Sequence, residues 1–355
     1  MTVNANLKKI NIQDNEELIN KIFFMHRDFK NKGKKFRWSK MWEELNNAGI
    51  SYLKKYGFEN FKRTVVRHYF ANTPFWMLNQ QILFLVLNIS PLKTFEFFIK
   101  SLFTFSFKPF SRIDAASFSF ISYLIWEYVD KNDKNGYLTQ LKEPEIGNPP
   151  PLFIKNKLIS QDLANSVLEY KSIFDETNNN KITTVMEIGS GSGRTAYVIL
   201  RLNKNIKKYI FVDISPALAL AEKYISYVFN DKKIFKYRDF NNFKDIEKEF
   251  NSSELIFLLP HQILMLPKGI IDLTINISSF HEMLHKQIAL YFKEIERLTK
   301  RNGYLYIKEW KKGVISQDNV IIYMKDYPIS SKWKSIYRRT SKVQIKFFEQ
   351  LLQLK

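Results

Sequence analysis

The chain has no cysteine among its 355 residues. That excludes disulfides, thiolate nucleophiles and cysteine metal sites, and it suits a reducing compartment, so a cytoplasmic location is expected. Residues 1–20 are polar and partly acidic, with no apolar signal region. A bilayer-crossing run is also missing. Tyr69 to Leu92 carries no charge and includes Ile82-Leu83-Phe84-Leu85-Val86-Leu87, but Asn72, Pro74, Asn79, Gln80, Gln81, Asn88 and Pro91 interrupt it. The unbroken apolar stretch falls short of the roughly 20 residues a spanning helix needs, and a buried helix is expected there. No internal repeat or low-complexity segment is evident.

Positive charge is what the chain has in excess. The formal net charge is +20, from 55 basic and 35 acidic residues, and both ends of the chain are basic. Such a surplus attracts nucleic acid, anionic lipid or an anionic glycan. The lysines are scattered and not striped, so no stable nucleic-acid complex is expected, and membrane contact is expected to be at most a weak surface association.

The length suggests two units. From Asp14 to about Tyr128 the pattern is mostly helical, with Leu45, Ile50, Leu53, Tyr56 and Phe61 at roughly helical spacing. Aromatics are dense here: Phe36, Trp38, Trp42, Tyr52, Tyr69, Phe70, Phe75 and Trp76 read as a helical core. Residues 131–136 form a polar break, and the prolines of 143–151 fix an extended segment. The boundary is placed there, giving a helical N-terminal domain of residues 1–140 and a second domain of 141–355. In the second, a helix from Asp162 to Phe174 precedes strand and helix signals in alternation. Apolar runs at 209–212, 255–259, 270–277 and 304–307 are separated by helical stretches at 217–229 and 286–300, with a turn at Asn302-Gly303. This alternation predicts an α/β fold with a parallel, doubly wound sheet, whose ligands bind at the carboxyl ends of the strands.

The first strand of that series ends in Glu187-Ile188-Gly189-Ser190-Gly191-Ser192-Gly193-Arg194-Thr195. Glycines permit a tight strand-to-helix turn and a close approach of ligand to backbone, and the helix that follows aims free N–H groups at the turn. The spacing is Gly-x-Gly-x-Gly. It matches neither the dinucleotide fingerprint Gly-x-Gly-x-x-Gly nor the P-loop with its terminal Gly-Lys-Ser/Thr. Asp213 closes the next strand, where an acid can accept hydrogen bonds from both ribose hydroxyls. The third strand runs into Pro260-His261-Gln262, and the Gln262 amide has a donor and an acceptor for adenine; Asp239 is the other candidate. The fourth strand leads into Asn276-Ile277-Ser278-Ser279-Phe280-His281-Glu282-Met283. His281 has the pKa of a general base, and Glu282 is placed to orient it or to act itself.

Two competing patterns are present. His281-Glu282-Met283-Leu284-His285 satisfies His-Glu-x-x-His, which on one helix would hold zinc with Glu as base, with Glu294, Glu296 or Glu309 as third ligand. It is short, and no metal is assigned. Asn148-Pro149-Pro150-Pro151 is similar to the Asn-Pro-Pro-aromatic motif of nucleic-acid amino methyltransferases, without the aromatic, and reads as a linker.

The glycine turn with Glu187 resembles the first motif of class I S-adenosylmethionine-dependent methyltransferases, and Phe211-Val212-Asp213-Ile214 resembles the next. Together with Glu143-Pro144, Ile146-Gly147-Asn148-Pro149, the run from Ser160 to Ser166 and the run from Ile275 to Met283, the chain resembles the sugar O-methyltransferase family of bacteria over about residues 140–312, and more loosely over Tyr56 to Arg63. The resemblance implies a Rossmann-like class I methyltransferase sheet beside an aromatic-rich helical domain. It implies S-adenosylmethionine held by Glu187, Gly189, Gly191, Gly193, Asp213 and Gln262, and methyl transfer to a sugar hydroxyl activated by His281 and Glu282, in surface polysaccharide or glycan synthesis. Glu145, Asn148, Gln161 and Asp162 are expected at the mouth of the site, with Glu309 and Trp310 at its border. The alternatives are a nucleic-acid methyltransferase and a zinc hydrolase.

Overall fold

The computed structural model describes residues 6–36, 39–65, 75–103, 107–177 and 181–355, with only the backbone of 75–79. Trp38, Tyr69, Phe70 and the side chains of Phe75 and Trp76 lie outside the described residues. In chain order the helices are α1 (Ile12–Lys32), α2 (Lys40–Tyr56), α3 (Phe75–Asn88), α4 (Pro91–Leu102), α5 (Arg112–Asn132), α6 (Gln161–Phe174), α7 (Arg194–Leu202), α8 (Ala217–Val228), α9 (Glu247–Ser252) and α10 (His285–Leu298). The strands are β1 (Phe153–Ile154), β2 (Lys157–Leu158), β3 (Thr184–Ile188), β4 (Lys208–Val212), β5 (Ile234–Phe235), β6 (Leu255–Leu258), β7 (Ile271–Ile277), β8 (Thr299–Trp310), β9 (Lys312–Ile315), β10 (Val320–Tyr323), β11 (Trp333–Thr340) and β12 (Phe347–Leu354).

Contacts divide the chain into two compact units that interleave in sequence. One comprises residues 1–16 and 51–175, the other 17–50 and 176–355. The division therefore differs from a cut near residue 140. Most of α1 and most of α2 go with the sheet, and the proline segment belongs inside the first unit.

In that first unit the proline segment is clamped. Lys62 forms an ion pair with Glu143, and Ser160 Oγ donates to the same carboxylate at 2.6 Å. The fully buried Arg63 guanidinium donates to the carbonyl oxygens of Asn148 and Pro149 at 2.8 and 3.1 Å. Burial lowers the Arg63 pKa to about 10. The segment acts as a packed bracket, because consecutive residues without helical or ladder bonds need side chains to satisfy their carbonyls. The uncharged helix α3 also departs from expectation. Leu85 is buried, but Leu83 and Leu87 are exposed, so this helix buries one face only.

The second unit is built on an eight-stranded sheet of order β11-β12-β8-β7-β3-β4-β6-β5. Strands β5 to β8 and their neighbours β3 and β4 pair in parallel, while β12 and β11 add antiparallel to β8. The expected Rossmann-like α/β architecture is present. Central strands β6 and β7 are buried along their whole length, as a parallel sheet covered on both faces requires. The chain leaves β3 toward β4 on one side and returns to β7 on the other. The strand order thus reverses between β3 and β7, and this crevice is the topological switch point.

The expected elements recur with boundaries moved by a few residues, except at Asn302-Gly303. There Asn302 takes a left-handed φ of 64° inside the long strand β8, where its pairing with β7 shifts register. The turn signal therefore marks a bulge. The edge strand β5, the hairpin β9–β10 and the pair β11–β12 add to the elements that the sequence pattern suggests.

Candidate active site at the switch point

Glu187 and Ile188 end β3, paired with Phe211 and Val212 of β4 and with Ile275 and Asn276 of β7. The turn that follows needs glycine for two different reasons. Gly189 has φ 75°, and a Cβ there would run into the Ser279 side chain, so the turn lies flat against the end of β7. Gly191 has φ 55° and nothing within 4 Å of a built Cβ, so this side of the turn is open. Gly193 sits at the N-cap of α7 without a side-chain cap, leaving that helix's N–H groups to the turn.

Asp213 lies just past β4. Its Oδ2 accepts the Gly191 N–H at 2.7 Å and its Oδ1 accepts the Ile214 N–H at 2.7 Å. Burial raises its carboxyl pKa to about 7; the two N–H groups oppose this, and the charge of Glu282 adds to it. Glu187 is buried and accepts the Tyr209 hydroxyl at 2.8 Å. Two buried atoms beside the turn, Ser190 Oγ and Asn276 Oδ1, have no hydrogen-bond partner. An open cradle at Gly191, an acid bonded to its N–H and two unpartnered polar atoms fit a nucleoside-like ligand with several hydroxyl and amine groups.

Gln262 is placed differently from expectation. It is fully buried, its Oε1 accepts the Leu259 N–H at 2.8 Å and its amide donates to the Arg238 carbonyl at 2.9 Å. It ties the loop after β6 to the loop after β5. Asp239, the other adenine candidate, lies in that second loop and accepts from Lys32 of α1 at 2.6 Å. Beside it, Tyr237 donates to Asp28 of α1 at 2.5 Å, and His261 lies 3.5 Å from the same carboxylate.

His281 and Glu282 occupy a short 3-10 turn, Phe280–Glu282, after β7. The imidazole is buried between Glu309 and Trp310. Its Nδ1 hydrogen-bonds Glu309 of β8, and its ring stacks on Trp310 with centroids 4.9 Å apart. Its Nε2 lies 3.6 Å from Glu282. Glu309 is fully buried and also accepts the backbone N–H groups of Ser279, Phe280 and His281 at 2.9, 3.0 and 3.2 Å. From the sequence Glu309 is expected at the border of the site or, in the His-Glu-x-x-His reading, as a third zinc ligand. Its signal was an acid within the apolar strand Tyr304–Trp310. The first strand of the hairpin β9–β10 also reaches here, since a Cβ on Gly313 would come within 2.7 Å of His281 Cβ.

Burial alone would lower the His281 pKa, but the charge and hydrogen bond of Glu309 and the nearby Glu282 carboxylate push it up to about 10. The group is therefore an imidazolium at neutral pH. With an ordinary value of 6.5 in the unfolded chain, its contribution to stability is complete below about pH 6.5 and is lost as pH rises through about 10. Thermal melts of wild type and His281→Asn between pH 6 and 10 should converge toward the alkaline end. A constant difference across that range would refute the assignment.

The His-Glu-x-x-His pattern does not lie on one helix. His281 belongs to the 3-10 turn and is buried, whereas His285 begins α10 and is exposed. Among the described residues no cluster of three His, Asp or Glu side chains could hold a metal. Glu145, Asn148, Gln161 and Asp162 lie in the first unit.

No family model and no curated protein matches the chain. Solved structures do resemble it. An S-adenosylmethionine-dependent methyltransferase of Leishmania major is 13% identical over 54% of this chain and 72% of its own, with a TM-score of 0.37. A type 11 methyltransferase of Sulfolobus solfataricus is 20% identical over 53% of this chain and 90% of its own, TM-score 0.34. The 1,6-didemethyltoxoflavin-N1-methyltransferase of Burkholderia thailandensis, solved with 1,6-didemethyltoxoflavin and S-adenosylhomocysteine, is 9% identical over 55% and 78%, TM-score 0.38. The fold assignment rests on the strand order and the switch point described above; activity has to be argued from the site.

Proposed function

We propose that this chain is an S-adenosylmethionine-dependent O-methyltransferase that methylates a sugar hydroxyl, in the synthesis of a bacterial surface polysaccharide or glycan. The observation that carries the reading is Asp213 bonded to the Gly191 N–H across an open glycine turn at the switch point. The cofactor, when bound, supplies an electrophilic methyl group. Asp213 would accept the ribose hydroxyls. Glu187, held by Tyr209, and the Gly189–Gly193 turn would face its methionine end. Gln262 would act on the adenine side by fixing the two loops that border it.

The acceptor half rests on His281. Glu309 holds Nδ1, which leaves Nε2 toward Glu282. An acceptor hydroxyl donating to Nε2 would give up its proton there as its oxygen takes the methyl carbon from the cofactor's sulfonium sulfur, which would keep the bonding pair and leave as a neutral thioether. Only the neutral imidazole takes that proton. With the pKa near 10, kcat/KM should climb about tenfold per pH unit between about pH 7 and 9. A flat profile over that range would transfer the role to Glu282. The resemblance to sugar O-methyltransferases supports the choice of acceptor.

The deciding measurement is calorimetric titration with S-adenosylhomocysteine. Micromolar binding, about −8 kcal/mol, supports the reading. No binding by well-folded protein rejects it. Label transfer from S-adenosylmethionine onto sugar acceptors then tests the second half.

A further inference from the structure

The first unit carries an apolar surface that its own packing does not use. Nine of the seventeen large apolar side chains exposed in the described residues fall between Leu83 and Ile113. Helix α4 shows why. Projected at about 100° per residue, Thr94, Phe97 and Ser101 form the side turned toward the protein. Leu92, Phe95, Phe98, Ile99, Leu102 and Phe103 fill a second arc of about 140°, all exposed, with Leu92 at 78% and Phe103 at 76%. Lys93, Glu96 and Lys100 occupy the remaining arc. A helix packs its apolar stripe on its protein; this one turns Thr94, Phe97 and Ser101 inward and leaves its larger apolar stripe outside.

Neighbouring helices extend the surface. Leu83 and Leu87 of α3 are exposed on the helix that has no charged residue. Ile113 of α5 is 79% exposed and lies two turns before Phe120, on the same helix face. Phe120 meets Phe98 edge-on with centroids 5.9 Å apart. Between the helices runs a groove of about 330 Å³ lined by Val86, Pro91, Thr94, Phe95, Phe98 and Phe120, with no charged group in its wall. Contiguous apolar surface on this scale marks an interaction site.

We infer that this face of α3, α4 and the start of α5 docks on an anionic lipid bilayer, with α4 lying in the interface and the groove taking hydrocarbon. Charge decides between a bilayer and a protein partner. On α4 itself Glu96 borders the exposed arc, Lys93 pairs with Glu96 at 2.8 Å and Lys100 donates to the Phe153 carbonyl at 2.6 Å, so the positive charge offered to phosphate comes from the residues that follow the helix. Lys108 and Arg112 are exposed between α4 and the body of α5. The whole chain carries +20, which draws it to a negative leaflet and repels a second copy of itself. Among the described residues no helix is long and apolar enough to cross a membrane, so the contact is peripheral.

The test is flotation of the full chain with vesicles of phosphatidylcholine alone and of equimolar phosphatidylcholine and phosphatidylglycerol. The triple variant Leu92→Ser, Phe95→Ser, Leu102→Ser removes exposed side chains only, and an unchanged melting temperature checks its fold. The expected result is binding to the anionic vesicles that the variant weakens roughly tenfold or more. Three results would each overturn the proposal: wild type that stays with the soluble fraction, a variant that floats as well as wild type, or a dimer in sedimentation that the variant abolishes while lipid binding is unaffected.

Discussion

Glu309→Ala should cost about 3–5 kcal/mol of stability, the largest loss expected from any single side chain of the site. The carboxylate is fully buried and is shared by three backbone N–H groups and the His281 ring. Alanine leaves the donors without an acceptor and leaves a buried imidazolium without its counter-charge. Each unsatisfied buried donor costs about 1–3 kcal/mol, and His281 recovers part of this by releasing its proton. Glu309→Gln separates the two contributions. It keeps an oxygen for the N–H groups but removes the charge, so its stability loss should be smaller and the His281 titration should move toward acid. Denaturant melts measure the first effect, and the imidazole NMR shift against pH measures the second. An alanine variant within about 1 kcal/mol of wild type, well below the cost of breaking a buried pair, would show that the turn after β7 is held by something else.

Asp213→Ala should weaken S-adenosylhomocysteine binding about a hundredfold. Two hydrogen bonds to a charged acceptor are worth about 1.5–3 kcal/mol each, and part of this is offset by freeing the Gly191 and Ile214 N–H groups that the carboxylate now holds. The same residue sets a pH dependence. Its carboxyl is raised to about 7, and only the anion accepts from both hydroxyls, so wild-type affinity should fall as pH drops from about 8 to about 6. The variant should lose that slope. Titrations at the two pH values measure both effects. If the Asp213→Ala variant binds as tightly as wild type, the ribose lies elsewhere and the proposed orientation of the cofactor is wrong.

The parts of this site that were legible in the sequence are those set by neighbours in the chain. Glu187, the three glycines and Asp213 each sit at the end of an apolar run, and strand ends dictate where such residues emerge. The role of Glu309 depends on β8 pairing with β7, which brings Lys308 opposite Ile277 and the next residue beneath the 280–282 turn. No spacing along the chain reveals that. Gln262 follows a strand, which suggests a ligand group, yet its amide completes the loop geometry at its own position three residues after Leu259. The lack of charge in helix α3 suggests burial, but composition does not say how much of a helix its neighbours will cover. Strand β11 gives no clear signal because Lys334, Arg338 and Arg339 break its pattern and only Trp333 is buried.

The interleaved units change how such a chain must be made. Lys32 pairs with Asp239, Ile22 accepts from Ser215, and the Lys40 N–H finds its acceptor at Asp318. At about 5–20 residues per second, the first of these partners leaves the ribosome roughly 10–40 s after its mate. Residues 17–50 are therefore synthesised first and settled last, with Phe36 waiting for Tyr291 to cover it. A gene fragment beginning at residue 141 would encode the whole sheet and still deliver an unfinished one.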